Sequence, residues 1–274
     1  MTFSMIEEAF NRALKYSFVK KKLLCTFLML VMVGLIFVFF HGIAPLASSW
    51  AKLALLLIPY FLSSAILLPA GIVLIRIYHS EIKGKKVVYR DIATKSLDLM
   101  MAASYLFLPL TLLFISLWIV LGIFALLQQT SGFGEVIATI FAFFPFLISF
   151  FIVVLIIFQF AVFFVATPLA AFLGLDKKPL LNAIVLRVKT SLFSNAFLAI
   201  LSIIPLVMTI KILIGSYLMM GMTYELKGSM LQHIIELFFV MLPCAALLTP
   251  SVIFFFNFSA EAQTIVSKLH PDPQ

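Results

Sequence analysis

The feature that most constrains this chain is the length of its uncharged runs. Residues 23–43, LLCTFLMLVMVGLIFVFFHGI, contain no Asp, Glu, Lys or Arg, and comparable runs recur as far as residue 258. A helix of about 20 residues, rising ~1.5 Å per residue, crosses ~30 Å of hydrocarbon. The runs are continuous rather than alternating, which excludes a β-barrel. With 64% of residues hydrophobic and only 11% charged, there is too little polar surface to coat a soluble globule. The expected fold is all-α: a polytopic helical membrane protein, read as one integral membrane domain over residues 1–274.

Six spans are expected, at roughly 23–43, 53–77, 99–127, within 136–175, 196–218 and 234–258. Basic residues orient them. Arg12, Lys15, Lys20, Lys21 and Lys22 precede the first span. Arg76, Lys83, Lys85, Lys86, Arg90 and Lys95 lie between spans two and three, and Lys177, Lys178, Arg187 and Lys189 between spans four and five. With Lys268, 16 of the 19 basic residues fall on one side, leaving Lys52, Lys211 and Lys227 for the other. The bias places both termini in the cytoplasm. The first apolar run starts after some twenty residues and is too long for a leader's apolar core, so no cleavable signal is expected.

A 40-residue run would reach roughly 60 Å as a helix, twice the hydrocarbon thickness, so the fourth stretch must be interrupted. An internal comparison suggests where. In EEAFNRALKYSF, together with Ile6, apolar and small residues recur at helical spacing: Ile6, Ala9, Phe10, Ala13, Leu14, Ser17 and Phe18. The pattern returns at Tyr89, Ile92, Ala93, Ser96 and Leu97, and again at Leu180, Leu181, Ile184, Val185, Val188 and Leu192. Each is an amphipathic helix with a basic polar side, and each precedes an odd-numbered span. Each following even-numbered span carries a proline in its cytoplasmic half, in LLPAGI (Pro69), ATPLAA (Pro168) and LTPSVI (Pro250), read as helix-breaking. The chain thus reads as three parallel two-span repeats, about 5–79, 86–175 and 178–262, each led by a cytoplasmic interfacial helix. Aligning Pro168 with Pro69 puts the fourth span at 150–172, with an extra piece at 136–146 bent at Pro145.

The leader helices are expected to lie at the cytoplasmic interface with lysines toward anionic headgroups, each contributing about 1 kcal/mol, or else to cover the cytoplasmic ends of the spans. The expected membrane-interface residues are Arg12, Lys15, Lys20, Lys21, Lys22, Lys85, Lys86, Arg90, Lys177, Lys178, Arg187 and Lys189. Orientation explains these charges without nucleic acid.

Within the spans, the polar candidates are Gln159, as inter-helix glue or the lining of a path, and Lys211, whose stem can snorkel to the outer face. Glu236 and Asn257 are read as interfacial. Ser63, Ser64 and Ala65 form a small-residue patch for close helix approach. No carboxylate falls near a midplane, which argues against proton-coupled transport. Cys25 and Cys244 read as packing residues, and no metal or cofactor site is expected. Glu7, Glu8 and Arg12 spell E-E-x-x-x-R, while Phe37 and His41 spell F-x-x-x-H, as in intramembrane CAAX-processing proteases. Here they fall at opposite faces, roughly 50 Å apart along a helix, and the further histidine signature is missing. H-E-x-x-H, G-K-[ST] and G-x-S-x-G are absent.

The three-unit pattern, with leaders such as EEAFNRALKYSF and LLNAIVLRVKTSLF, resembles a loose group of uncharacterised six-span bacterial membrane proteins. It is also similar to the membrane module attached to some bacterial glycerophosphodiester phosphodiesterases. The catalytic residues of that enzyme's soluble domain find no matching positions, so the resemblance implies fold and membrane association rather than an enzyme. The functional expectation is a non-enzymatic protein of the bacterial inner membrane. It would act through lipid contact, or through helix packing with a membrane partner or a second copy. The alternative is a transporter or channel for a small neutral or lipidic solute.

Overall fold

The computed structural model describes residues 3–47, 49–85, 91, 92, 94, 108–130, 132–173, 177–223 and 230–269. Among them there is no strand. Helix α1 (Phe3–Lys15) ends in a 3-10 turn (Tyr16–Phe18), and an extended Val19 leads into α2 (Lys20–Ile43). Then come α3 (Ser49–Ile82), α4 (Leu108–Gln128), the short α5 (Phe133–Ile140), α6 (Phe144–Leu173), α7 (Lys177–Thr223) and α8 (Met230–Leu269). Among the described residues six helices are long and apolar enough to cross a membrane: Lys20–Leu46, Ala51–Ile82, Leu108–Gln128, Phe144–Phe172, Ser191–Met219 and Leu231–Lys268. The protein is a multi-pass helical membrane protein.

Helices α3, α6 and α8 run parallel and meet along the axis. Gly71 lies against Phe256 and Tyr78 reaches Glu261, pairing α3 with α8. Tyr60 meets Gln159 and Arg76 meets Ala171, pairing α3 with α6, while Phe163 and Phe164 face Phe256 and Phe255. The other three spans lie outside, each between two of the inner ones: α2 between α8 and α3, α4 between α3 and α6, α7 between α6 and α8. Gly34 and Gly42 let α2 close on Met241 and Ile234 of α8, the close approach that small residues allow in lipid.

Packing is concentrated at the end of the bundle that carries α1, called here the basic end. From Leu68 to Tyr78 every residue except the half-buried Arg76 is buried. The same holds from Phe163 to Ala171, and from Ile253 to Ala260. A helix buried all round must be apolar nearly all round, and these stretches are, apart from Arg76, Thr167, Asn257 and Ser259. Beyond Ser202 no described side chain of α7 is buried, and of α6 between residues 144 and 162 only Ile148, Ile152 and Gln159 are. A smaller cluster of Phe61, Phe114, Leu121, Ile148 and Ile152 joins α3, α4 and α6 there, with Phe61 stacked on Phe114 at 4.4 Å.

Several expectations change. The prolines do not break helices: α3 runs unbroken through Pro59 and Pro69, α6 through Pro168 and α8 through Pro243 and Pro250. Neighbouring helices hold such a segment in place although one N–H is missing. Pro145 does not bend a helix but occupies the first turn of α6, where its missing N–H costs nothing. The break before it is the turn at 141–143, and the fourth span begins at Phe144. The kink lies at Ser191 (φ −139°, ψ 32°), where the leader segment of α7 joins its span. Asn195 reaches back over that kink, its Nδ2 donating to the Arg187 carbonyl at 3.1 Å. The second leader falls largely outside the described residues.

Candidate functional site

Two regions gather polar chemistry. The first seals the basic end. Lys22 is wholly buried on α2, its Nζ 2.8 Å from Glu81 Oε2 on α3 and 5.3 Å above the Tyr78 ring. Tyr78 donates to Glu261 of α8 at 2.8 Å, and Arg12 of α1 lies 3.7 Å from the same carboxylate while also pairing with Glu8. Around them Asn257, fully buried, donates to the Ala13 carbonyl at 3.3 Å and to Ser17 Oγ at 3.4 Å. Gln263 donates to Asn195 Oδ1 at 3.1 Å. Phe10 of α1 sits edge-on to Phe254 and Phe258 at 4.9 and 5.9 Å. Helix α1 therefore covers the ends of the spans with its Ala9–Phe10–Ala13 face, leaving Phe3, Leu14 and Phe18 exposed.

Three expectations are corrected here. Lys22 does not face headgroups: an ammonium this far inside the protein requires a carboxylate, and Glu81 supplies it. Arg187 is buried at 7% exposure, inside the joint made by the α7 kink. Asn257 ties α8 to α1 rather than ending a span at an interface. Lys15, Lys20, Lys21, Lys85 and Lys189 are exposed, and Arg12 is half-buried. Lys86 and Arg90 lie outside the described residues, as do the side chains of Lys177 and Lys178.

The second region is a space in the other half. A cavity of about 210 Å³ lies where α3, α6 and α8 separate, between Leu67, Phe163 and Phe256 below and Tyr60, Ile156 and Leu248 above. A groove of about 450 Å³ continues from it, bounded by α2, α7 and α8. Leu30, Val33, Phe37, Tyr60, Ile210 and Leu248 belong to both walls, so the cavity and the groove adjoin. The groove is open because α2 and α7 make no extended contact with each other. No described Asp, Glu, Lys or Arg lines either part.

Gln159 stands in the wall of the inner cavity, its Nε2 donating to the Tyr60 carbonyl at 2.9 Å. It both joins helices and lines the space. Ser63, from the small-residue patch, is among the residues that line that space. Lys211 is exposed on another face of α7 and takes no part. Cys25 and Cys244 are unbridged, and among the described residues no three His, Cys, Asp or Glu side chains come together. Glu8 and His41 sit at opposite ends of the bundle.

Sequence reasoning missed the Lys22–Glu81 pair. Its only signal was one acidic residue at the end of a span, facing a basic run 59 positions earlier. No family model matches the chain, and comparison with curated proteins and with solved structures finds no match.

Proposed function

We propose that this is a non-enzymatic protein of the bacterial cytoplasmic membrane that works by receiving lipidic molecules sideways between its spans. One observation carries the reading: an uncharged cavity at Gln159 and, adjoining it, a groove that opens between α2 and α7. The groove, at about 450 Å³, falls within the ~300–1,000 Å³ of small-molecule sites, and the walls of both parts suit hydrocarbon rather than ions.

The basic end is the cytoplasmic one in this reading, with both termini there, because exposed lysines concentrate on that side. The three-repeat organisation draws support from the alternation of inner and outer spans, since each repeat contributes one helix to the axis and one to the rim. Leader helices then serve as caps on the cytoplasmic ends, with Phe3, Leu14 and Phe18 turned toward lipid. Likeness to the phosphodiesterase-attached module belongs to the same proposal.

A second reading is favoured by the asymmetry of the bundle. A space closed at one end by the Lys22–Glu81 layer and open at the other is one state of a transporter for a neutral or lipidic solute. Cysteine labelling separates the two. With Cys25 and Cys244 replaced, a single cysteine at Leu213 or Gln159 is treated with a membrane-impermeant or a lipid-soluble maleimide. Lipid occupancy predicts labelling by the lipid-soluble reagent alone. Labelling of Gln159→Cys by the impermeant reagent would favour transport, and protection from both would remove the groove from the function.

A further inference from the structure

The deep end of this space is not purely apolar. Gln159 is 5% exposed and Ser63 is 2% exposed, on α6 and α3. The amide orientation of Gln159 is fixed by its partner: a backbone carbonyl only accepts, so the group facing Tyr60 is the NH₂. Its Oε1 is therefore the free end, a pure acceptor, and it is buried with no hydrogen-bond partner. Ser63 Oγ is likewise buried without one. The choice is not forced by helix chemistry, because Ser64, Ser202 and Thr249 each return their hydroxyl to a carbonyl three or four residues back. Both residues line the cavity, and two unpaired polar atoms in apolar surroundings are costly. After a small turn of each side chain, a ligand supplying both a donor and an acceptor would remove that cost.

We propose that the inner cavity is a binding site for an uncharged, single-tailed lipid carrying a free hydroxyl, the class of long-chain and isoprenoid alcohols. The hydroxyl donates its proton to Gln159 Oε1 and accepts from Ser63 Oγ–H. The tail passes between Phe37, Ile210 and Leu248 into the groove and leaves through its open side. The absence of charge among the described lining residues selects against phosphate and ammonium headgroups, whose desolvation nothing there offsets. This assignment rests on the lipid-receiving reading above and gives that reading a ligand class.

The test uses the full chain in lipid nanodiscs and two photoreactive probes of equal length, a diazirine-bearing hexadecanol and the matching hydrocarbon. The expected result is cross-linking within the groove, with the alcohol favoured roughly three- to tenfold, as for one or two intramembrane hydrogen bonds. Ser63→Ala and Gln159→Leu each reduce that preference toward one. Ser63→Ala removes an oxygen but no observed inter-helix contact, so the test survives should Gln159→Leu misfold. Leu248→Trp, which fills the junction, abolishes labelling by both. Equal labelling of the groove by the two probes overturns the hydroxyl assignment and leaves the lipid-receiving reading standing. Labelling of the groove by neither probe overturns both. A preference retained in Ser63→Ala and Gln159→Leu also overturns the assignment.

Discussion

The same three helices make two different materials. Toward the basic end α3, α6 and α8 are buried on every side, Gly71 admits the Phe256 ring, and nearly every polar group named there meets another across helices. In the other half the helices separate, exposed side chains predominate, and a cavity and groove lie beside the one small cluster around Phe61 and Phe114. In water that second half would be a defect. In lipid an apolar side chain gains nothing by leaving hydrocarbon for hydrocarbon, so only close packing and hydrogen bonds draw helices together. The closed half has both and the open half has little of either. The closed half thus fixes the spacing at which the helices enter the open half.

Four substitutions probe that contrast, in order of expected effect. Lys22→Met leaves the Glu81 carboxylate nearly buried without its cation and should cost about 3–5 kcal/mol, as for other broken buried pairs. Thermal unfolding in detergent reads it, and adding Glu81→Leu should recover most of the loss. No recovery would mean that the pair does not act as a unit. Gly71→Ala drives a methyl group into the ring of Phe256, with an overpacking cost of about 1–3 kcal/mol in the same assay. A neutral result would show that α3 and α8 are not in close contact.

Asn257→Ala removes the link from α8 to the Ala13 carbonyl and Ser17, at about 0.6–1.7 kcal/mol. Its specific mark is faster amide hydrogen exchange across α1 with exchange in α6 unchanged; a uniform increase would contradict a local capping role. The smallest effect belongs to the open half. Gly215 has nothing within 4 Å of an added methyl group, so Gly215→Ala should be neutral or stabilising by up to about 1 kcal/mol through helix propensity. If Gly71→Ala and Gly215→Ala cost the same, the distinction between the two halves is wrong.

Much of the architecture was readable from residue order. The six spans announce themselves through the length of apolar runs, whereas the extra piece expected at 136–146 with a bend at Pro145 is a helix at Phe133–Ile140 followed by a turn. Gln159 stood out for its isolation in such a run. Other features were not readable. Lys22 sits in a run of three lysines, and nothing local distinguishes it from its exposed neighbours Lys20 and Lys21. Ser63 looked like packing space because small residues serve that role as often as they line a cavity. The prolines were misjudged because their cost depends on what surrounds the helix.

What the sequence determined by itself is that the chain spans a membrane as helices and which segments do so, since bilayer thickness and backbone hydrogen bonding act on each segment alone. Only the tertiary structure decided which lysine is buried, which end of the bundle closes, and that Gln159 and Ser63 meet one cavity. Those outcomes depend on how helices far apart in the chain are rotated and spaced against one another.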